Sequence, residues 1–248
     1  MRAMSTSSAP PVRPLAAAAL LSGLLALCAL FTCMQPVQAQ ACGPAPVARE
    51  ATSPQIGAWL HERGLQVLTF VGYSGAGYEN PDAMLAAAGQ VLDRHDPART
   101  VVNIGATEAG IGAVYALARQ RGFRTMGIVS TLAREAGEPL SPCVDQVFFV
   151  RDTQWGGRLP GSTRLSPTSA AIVAHSAEIV AVGGGDIARD ELRGARAAGL
   201  PVSFIAADMN HALARDKARA KGEPEPTDFG GTARDAFTAG RRTPRGPD

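Results

Sequence analysis

Six short apolar runs, each set off from the next by segments of helical spacing or by loops, constrain the fold of this chain more than any other feature. They are QVLTFVG (Gln66 to Gly72), TVVNIG (Thr100 to Gly105), FRTMGIVS (Phe123 to Ser130), VDQVFFV (Val144 to Val150), AEIVAVGGG (Ala177 to Gly185) and PVSFIAAD (Pro201 to Asp208). Most are apolar almost throughout instead of alternating with polar residues, as expected of strands buried on both faces. Between them, PDAMLAAAGQVLDRH, EAGIGAVYALARQRG, SPTSAAIVAHS and IARDELRGARAAG carry apolar residues at helical spacing, with Pro81 at a first helical position. Parallel strands need crossover connections, which are right-handed. The expected fold is therefore α/β: a doubly wound, mainly parallel sheet of about six strands with helices on both faces, Rossmann-like in kind.

The ends of the chain read differently. Arg2 and Arg13 precede an apolar run from Leu15 to Phe31, followed by PVQAQAC with small residues at Ala39 and Ala41. That order predicts a secretory signal peptide over residues 1–41, cut after Ala39 or Ala41, and an exported protein, periplasmic or secreted. Two other readings stay open, an uncleaved membrane anchor and a lipid on Cys42. Membrane contact is expected only through one of these. Residues 42–53 read as a linker, 54–221 as one domain, and 222–248, with GEPEPTDFGG and RRTPR, as a disordered tail.

Composition narrows the partners. Without Arg2 and Arg13 the chain has 22 basic and 22 acidic side chains, so charge makes no case for nucleic acid. Cys28 and Cys33 lie in the leader, leaving Cys42 and Cys143 either to pair in an oxidising compartment or to stay as a flexible and a buried thiol. No Cys/His cluster has metal-ligand spacing, and no metal or resident cofactor is expected. A homodimer remains an open expectation.

In an open parallel sheet, ligands bind beyond the carboxyl ends of the strands. Three glycine loops fall there: VGYSGAGYEN (Gly72, Ser74, Gly75), NIGATEAGIG (Gly105, Thr107, Gly110) and VGGGDIARDEL (Gly183, Gly184, Gly185, Asp186). Glycine allows close approach to a phosphate, and a helix start adds N–H donors. None of the three matches GxGxxG followed by a ribose-binding acid; Asn103 and Thr107 stand where a dinucleotide-dependent oxidoreductase would carry one. The expected partner is a small phosphorylated ligand or nucleotide.

FVGYSG, NIGATEAGIGAVYALARQRG and SAEIVAVGGGDIARDELRGARAAGLPV together resemble the SLOG superfamily, over roughly Gln66 to Asp208. That superfamily includes LOG-like phosphoribohydrolases, often labelled lysine decarboxylases, and the nucleotide-binding domain of DprA-type proteins. The resemblance implies a nucleotide or phosphoribosyl ligand over the sheet edge. In hydrolytic members, the glutamate of GGxGTxxE and an upstream arginine serve cleavage of the bond between base and ribose. Gly184, Gly185 and Glu191 match that pattern, whereas Ile187-Ala188 replaces Gly-Thr and removes a hydroxyl that could hold phosphate. The arginine position falls at Thr168, with Arg164 one turn earlier and Arg151 and Arg158 as further candidates. The implied catalytic pair is Glu191 and Arg164.

Each residue also has a structural reading. Glu191 and Glu108 suit the first turns of helices on dipole grounds alone, and Asp186 suits a helix N-cap. Ser74 suits a turn, and His95, His175 and His211 suit helix ends. Trp155 lies in a long Gly/Pro-rich loop that is either a lid with a stacking aromatic or plain connection.

Overall fold

The computed structural model describes residues 42–43 and 45–238; the expected leader, both expected cleavage points and residues 239–248 lie outside them. Seven strands form one parallel sheet: β1 (Val47–Glu50), β2 (Gln66–Gly72), β3 (Thr100–Asn103), β4 (Arg124–Ser130), β5 (Gln146–Val150), β6 (Ser176–Val182) and β7 (Val202–Ile205). Their spatial order is β1-β5-β4-β3-β2-β6-β7. From β2 the chain steps outward through β3, β4 and β5, then returns to lay β6 on the other side of β2. The direction of winding therefore reverses between β2 and β6.

Helices cover both faces. On one side α2 (Pro81–Leu92) and α3 (Val114–Gln120) bury Met84, Leu92, Tyr115 and Ala118 against Leu68, Phe70, Val102 and Val180. On the other, α1 (Ser53–Glu62), α5 (Pro167–His175) and α6 (Asp186–Ala197) bury Ile56, Ile172 and Leu192 against Val67, Val101, Phe148 and Ile179. Neighbouring strand residues alternate between these two cores, which explains why the strands are apolar along their length. The remaining helices are α4 (Thr131–Glu135), α7 (His211–Lys221) and α8 (Asp235–Thr238).

Three expectations need correction. The sheet has seven strands, not about six, because the expected linker contains β1, paired with β5 from Val47↔Gln146 to Glu50↔Phe149. VARE is an exposed edge strand, so it lacks the apolar run that marks the inner ones. The expected disordered tail is also partly folded. Ala233 N–H donates to Gly184 O (3.0 Å), Met209 N–H donates to Phe229 O (2.9 Å), and Ala233 and Ala236 are buried. Two small apolar residues suffice, Ala233 packing at the Gly184 turn before α6 and Ala236 lying beside Arg196 farther along that helix.

Cys42 and Cys143 are joined in a disulfide that ties the N-terminal end of the described chain to the loop before β5. Among the described residues, no helix is long and apolar enough to cross a membrane. A cross-link closing a loop of this length adds up to ~4–5 kcal/mol in the chain-entropy model. Reduction, or Cys143→Ser, is expected to lower the thermal midpoint by several degrees. A midpoint indifferent to reductant would contradict a stabilising bridge.

Candidate functional site

Three loops leave the carboxyl edge of the sheet around the reversal point: residues 73–80 after β2, 104–113 after β3, and 183–185 after β6. The chain's three tyrosines fasten them. Tyr115 Oη donates to Met126 O (2.6 Å) and accepts the N–H groups of Ile104 (2.9 Å) and Ala106 (3.1 Å). It thus holds a turn in which Ala106 adopts a φ of 63°. Tyr78 Oη donates to Val182 O (2.7 Å) and accepts Tyr73 N–H (3.1 Å), joining the exits of β2 and β6. Tyr73 Oη lies within reach of Ala207 O (3.3 Å) and Phe229 O (3.2 Å). Burial pushes the Tyr78 and Tyr115 hydroxyls up, so they remain protonated donors.

The tyrosines explain several glycines. A Cβ on Gly72 would collide with the Tyr78 hydroxyl, and one on Gly183 with the Tyr73 ring. Gly184 has a φ of 120°, and its Cβ would press on Ala188 and Ala233. Gly110 packs beneath Tyr73 O and Ser74 O, where Ile111 N–H donates to Tyr73 O (2.7 Å).

A cleft of about 620 Å³ opens between the loops. It collects Gly72, Ser74, Gly75, Gly105, Thr107, Gly185, Asp186 and Glu191, whereas Gly110 packs on backbone, Gly183 on the Tyr73 ring and Gly184 on Ala188 and Ala233, outside its lining. Ser74, Gly75 and Ala76 line the cleft, and their N–H groups have no acceptor among the described residues. Lys217 Nζ donates to Gly75 O (2.8 Å), placing a cation beside that loop. Asp186 is the first residue of α6, not its cap. Gly185 occupies the cap position without a side-chain bond, and Asp186 Oδ1 accepts from Thr232 Oγ1 (2.6 Å) and Arg189 Nη1 (2.7 Å).

Glu191 lies two turns into α6, 3% exposed, with Oε1 accepting from Ser169 Oγ (2.7 Å). The same Ser169 oxygen accepts Gly157 N–H (2.7 Å), so α5, α6 and the long loop before α5 meet at this hydroxyl. Burial raises the Glu191 carboxyl to about 7; the neighbouring Asp190 charge adds to the rise and the Ser169 hydrogen bond opposes it. Asp190 is itself buried, near Arg158 Nε (3.8 Å) and Arg189 Nε (3.2 Å). Thr168, on the cleft wall and 2% exposed, donates its N–H to Asp152 Oδ2 (2.8 Å), while its hydroxyl has no partner among the described residues.

The expected pairing of Arg164 with Glu191 is not formed. Arg164 is exposed in a turn, with its N–H on Ser162 Oγ (3.1 Å) and its carbonyl on Leu159 N–H, because Pro167 starts α5 after it and leaves it on the loop. Arg151 turns toward Glu50 (3.4 Å). Arg158 comes nearest to the site, through Asp190. Glu108 is exposed and outside the cleft lining; the half-buried His175 and His95 are also outside it, His175 bonding Ser53 and His95 facing Glu178 (3.4 Å). Asn103 is internal scaffolding, donating to Thr69 Oγ1 (3.2 Å) and accepting Ile128 N–H (3.0 Å). Ser169 escaped the sequence reading; its only signal was a hydroxyl just inside a Pro-started helix. Among the described residues no group of three His, Cys, Asp or Glu side chains could hold a metal ion.

Fold and cleft together define a Rossmann-like α/β domain with a cleft at its topological switch point. Three solved chains are similar to it. The structural-genomics target TM1055 has a TM-score of 0.40 and 19% identity, over 56% of this chain and 72% of its own. The Moco carrier protein from Chlamydomonas reinhardtii has 0.41 and 16%, over 64% and 85%. A structure of the molybdenum cofactor carrier protein MCP from the same organism has 0.40 and 19%, over 64% and 97%. No family profile matches the chain, and no curated protein matches it in sequence.

The Glu191 carboxyl sets a pH test. Its folded value of about 7 exceeds its ordinary 4.5, so between these the folded state holds more protons than the unfolded chain, and stability falls as pH rises. Glu191→Gln removes the titration while leaving Ser169 an acceptor. The midpoint of this variant relative to the parent is expected to climb from about pH 5 to about pH 8. A pH-independent difference would contradict a buried titrating carboxyl.

Proposed function

We propose that this is an exported protein that binds a nucleotide or phosphorylated sugar in the switch-point cleft. The observation that carries the reading is the pairing, across one cleft, of free backbone N–H groups at Ser74–Ala76 with the buried carboxyl of Glu191. Successive N–H donors beside Lys217 suit a phosphate. A carboxyl with an unpartnered oxygen suits sugar hydroxyls or ring N–H groups. Export is supported by the basic, apolar and small-residue order of the leader and by the Cys42–Cys143 disulfide.

Glu191 also supports a second reading, hydrolysis of the N-glycosidic bond of a nucleoside monophosphate. A carboxyl near pKa 7 can take a proton from the water that attacks the ribose carbon as the bond to the base breaks. Among the described residues no arginine lines the cleft to complete the implied pair, which favours binding without turnover.

Thermal shift against AMP, ribose 5-phosphate and a dinucleotide tests the binding. At a hundred times its dissociation constant a ligand adds about 2.7 kcal/mol, a displacement of several degrees. No displacement by any of the three would contradict the proposal. If AMP stabilises the protein, adenine release should be absent under the binding reading. Release that disappears in Glu191→Ala would establish the hydrolase instead.

A further inference from the structure

The cleft has two chemically different ends. At the β2 loop lie N–H groups with no acceptor among the described residues, with Lys217 bonded to Gly75 O just outside the lining. At the start of α6 the wall carries an apolar side chain, Ile187, next to Asp186. Among the described residues five large apolar side chains are exposed, and two of them, Trp155 (50%) and Ile187 (42%), line this cleft. Scattered exposed apolar residues need no explanation, but two lining one cleft mark a binding surface.

Trp155 is held without being covered. Its loop is fastened on one side by Thr168 N–H on Asp152 Oδ2 and on the other by Gly157 N–H on Ser169 Oγ. The backbone beyond it packs against Ile187 so closely that a Cβ on Gly156 would sit 3.0 Å from that side chain. Yet among the described residues no aromatic ring or cation stacks on Trp155, whereas Trp59 has both Phe148 and Arg63. Among the described residues the buried Thr168 hydroxyl on the same part of the wall has no hydrogen-bond partner, and Ser169 engages one of the two Glu191 oxygens.

Charge argues against a phosphate at this end. The acidic side chains lining the cleft are Glu138, Asp186 and Glu191, and among the described residues no Lys, Arg or His joins them. Arg189 and Arg158 stand beside Asp186 and Asp190. A dianion at the start of α6 would meet the Asp186 carboxylate and the Ile187 side chain in place of a hydroxyl.

We propose that Trp155 and Ile187 form a subsite for the flat heteroaromatic ring of the ligand, with Glu191 and Thr168 at the ring's polar edge. The ligand then lies with its ring over the start of α6 and its phosphate at Ser74–Ala76. Ile187 is on this account a specificity residue, supplying an apolar wall where the sequence pattern would have a phosphate loop. The inference rests on the switch-point cleft being the ligand site.

The test compares AMP with ribose 5-phosphate, which lacks the ring, on the full chain. With two tryptophans present, Trp59→Phe isolates the Trp155 fluorescence. AMP is expected to quench it and ribose 5-phosphate to leave it unchanged. Trp155→Ala is expected to weaken AMP about 5- to 150-fold, the range of base–aromatic stacking, and to leave ribose 5-phosphate within a factor of about two. Trp155→Phe should retain most of the AMP affinity. If ribose 5-phosphate binds as tightly as AMP, or Trp155→Ala weakens both alike or neither, the ring subsite is overturned while the cleft reading stands. If neither compound binds the parent protein, the cleft reading fails and the subsite with it.

Discussion

Three buried phenol hydroxyls, those of Tyr73, Tyr78 and Tyr115, hold together the edge of the sheet on which the candidate site is built. A strand that stops leaves N–H and C=O groups that its neighbours no longer satisfy, and each left buried without a partner costs about 1–3 kcal/mol. Tyr115 alone satisfies two N–H groups and one carbonyl, and Tyr78 satisfies one of each. The glycines follow from the tyrosines. Gly72 and Gly183 lack side chains because a phenol ring or hydroxyl occupies that space. Much of the glycine content that looks like a phosphate cradle is thus packing, while on the cleft the Ser74–Ala76 N–H groups have no acceptor among the described residues.

The second organising contact is the Ser169 hydroxyl, which accepts from Gly157 and donates to Glu191. It fixes a carboxyl that burial keeps near its titration point and couples it to the loop that carries Trp155. Deprotonation of Glu191 strengthens this acceptor while adding an uncompensated buried charge, so the state of one proton bears on both stability and ligand contact.

The fold was legible where burial dictates sequence. Strands buried on both faces must be apolar throughout, and the five inner runs, with the apolar run of the edge strand β7, announced the sheet and its crossovers. β1 was not legible, because an edge strand needs only backbone partners, and VARE is exposed. Residues 223–238 were missed for a related reason, since Ala233 and Ala236 find a pocket too small to need a hydrophobic run. At the site, the glycine loops could be located from the strand pattern, and Glu191 from the motif resemblance alone. What the glycines do could not, because it depends on tyrosines that approach from other turns. Arg164 failed as Glu191's partner since Pro167 leaves it on the loop outside α5, and Arg158 and Ser169 gained their places only through the path of that loop.

The central claim is that the cleft between the β2, β3 and β6 exits receives the ligand. Hydrogen exchange of the backbone amides with and without AMP tests it most directly. The account predicts slowed exchange confined to residues 73–77, 104–108 and 184–188 and to the loop carrying Trp155, with Ser74–Ala76 among the most protected. Protection spread evenly over the sheet, or concentrated at the far edge near β1, would contradict it.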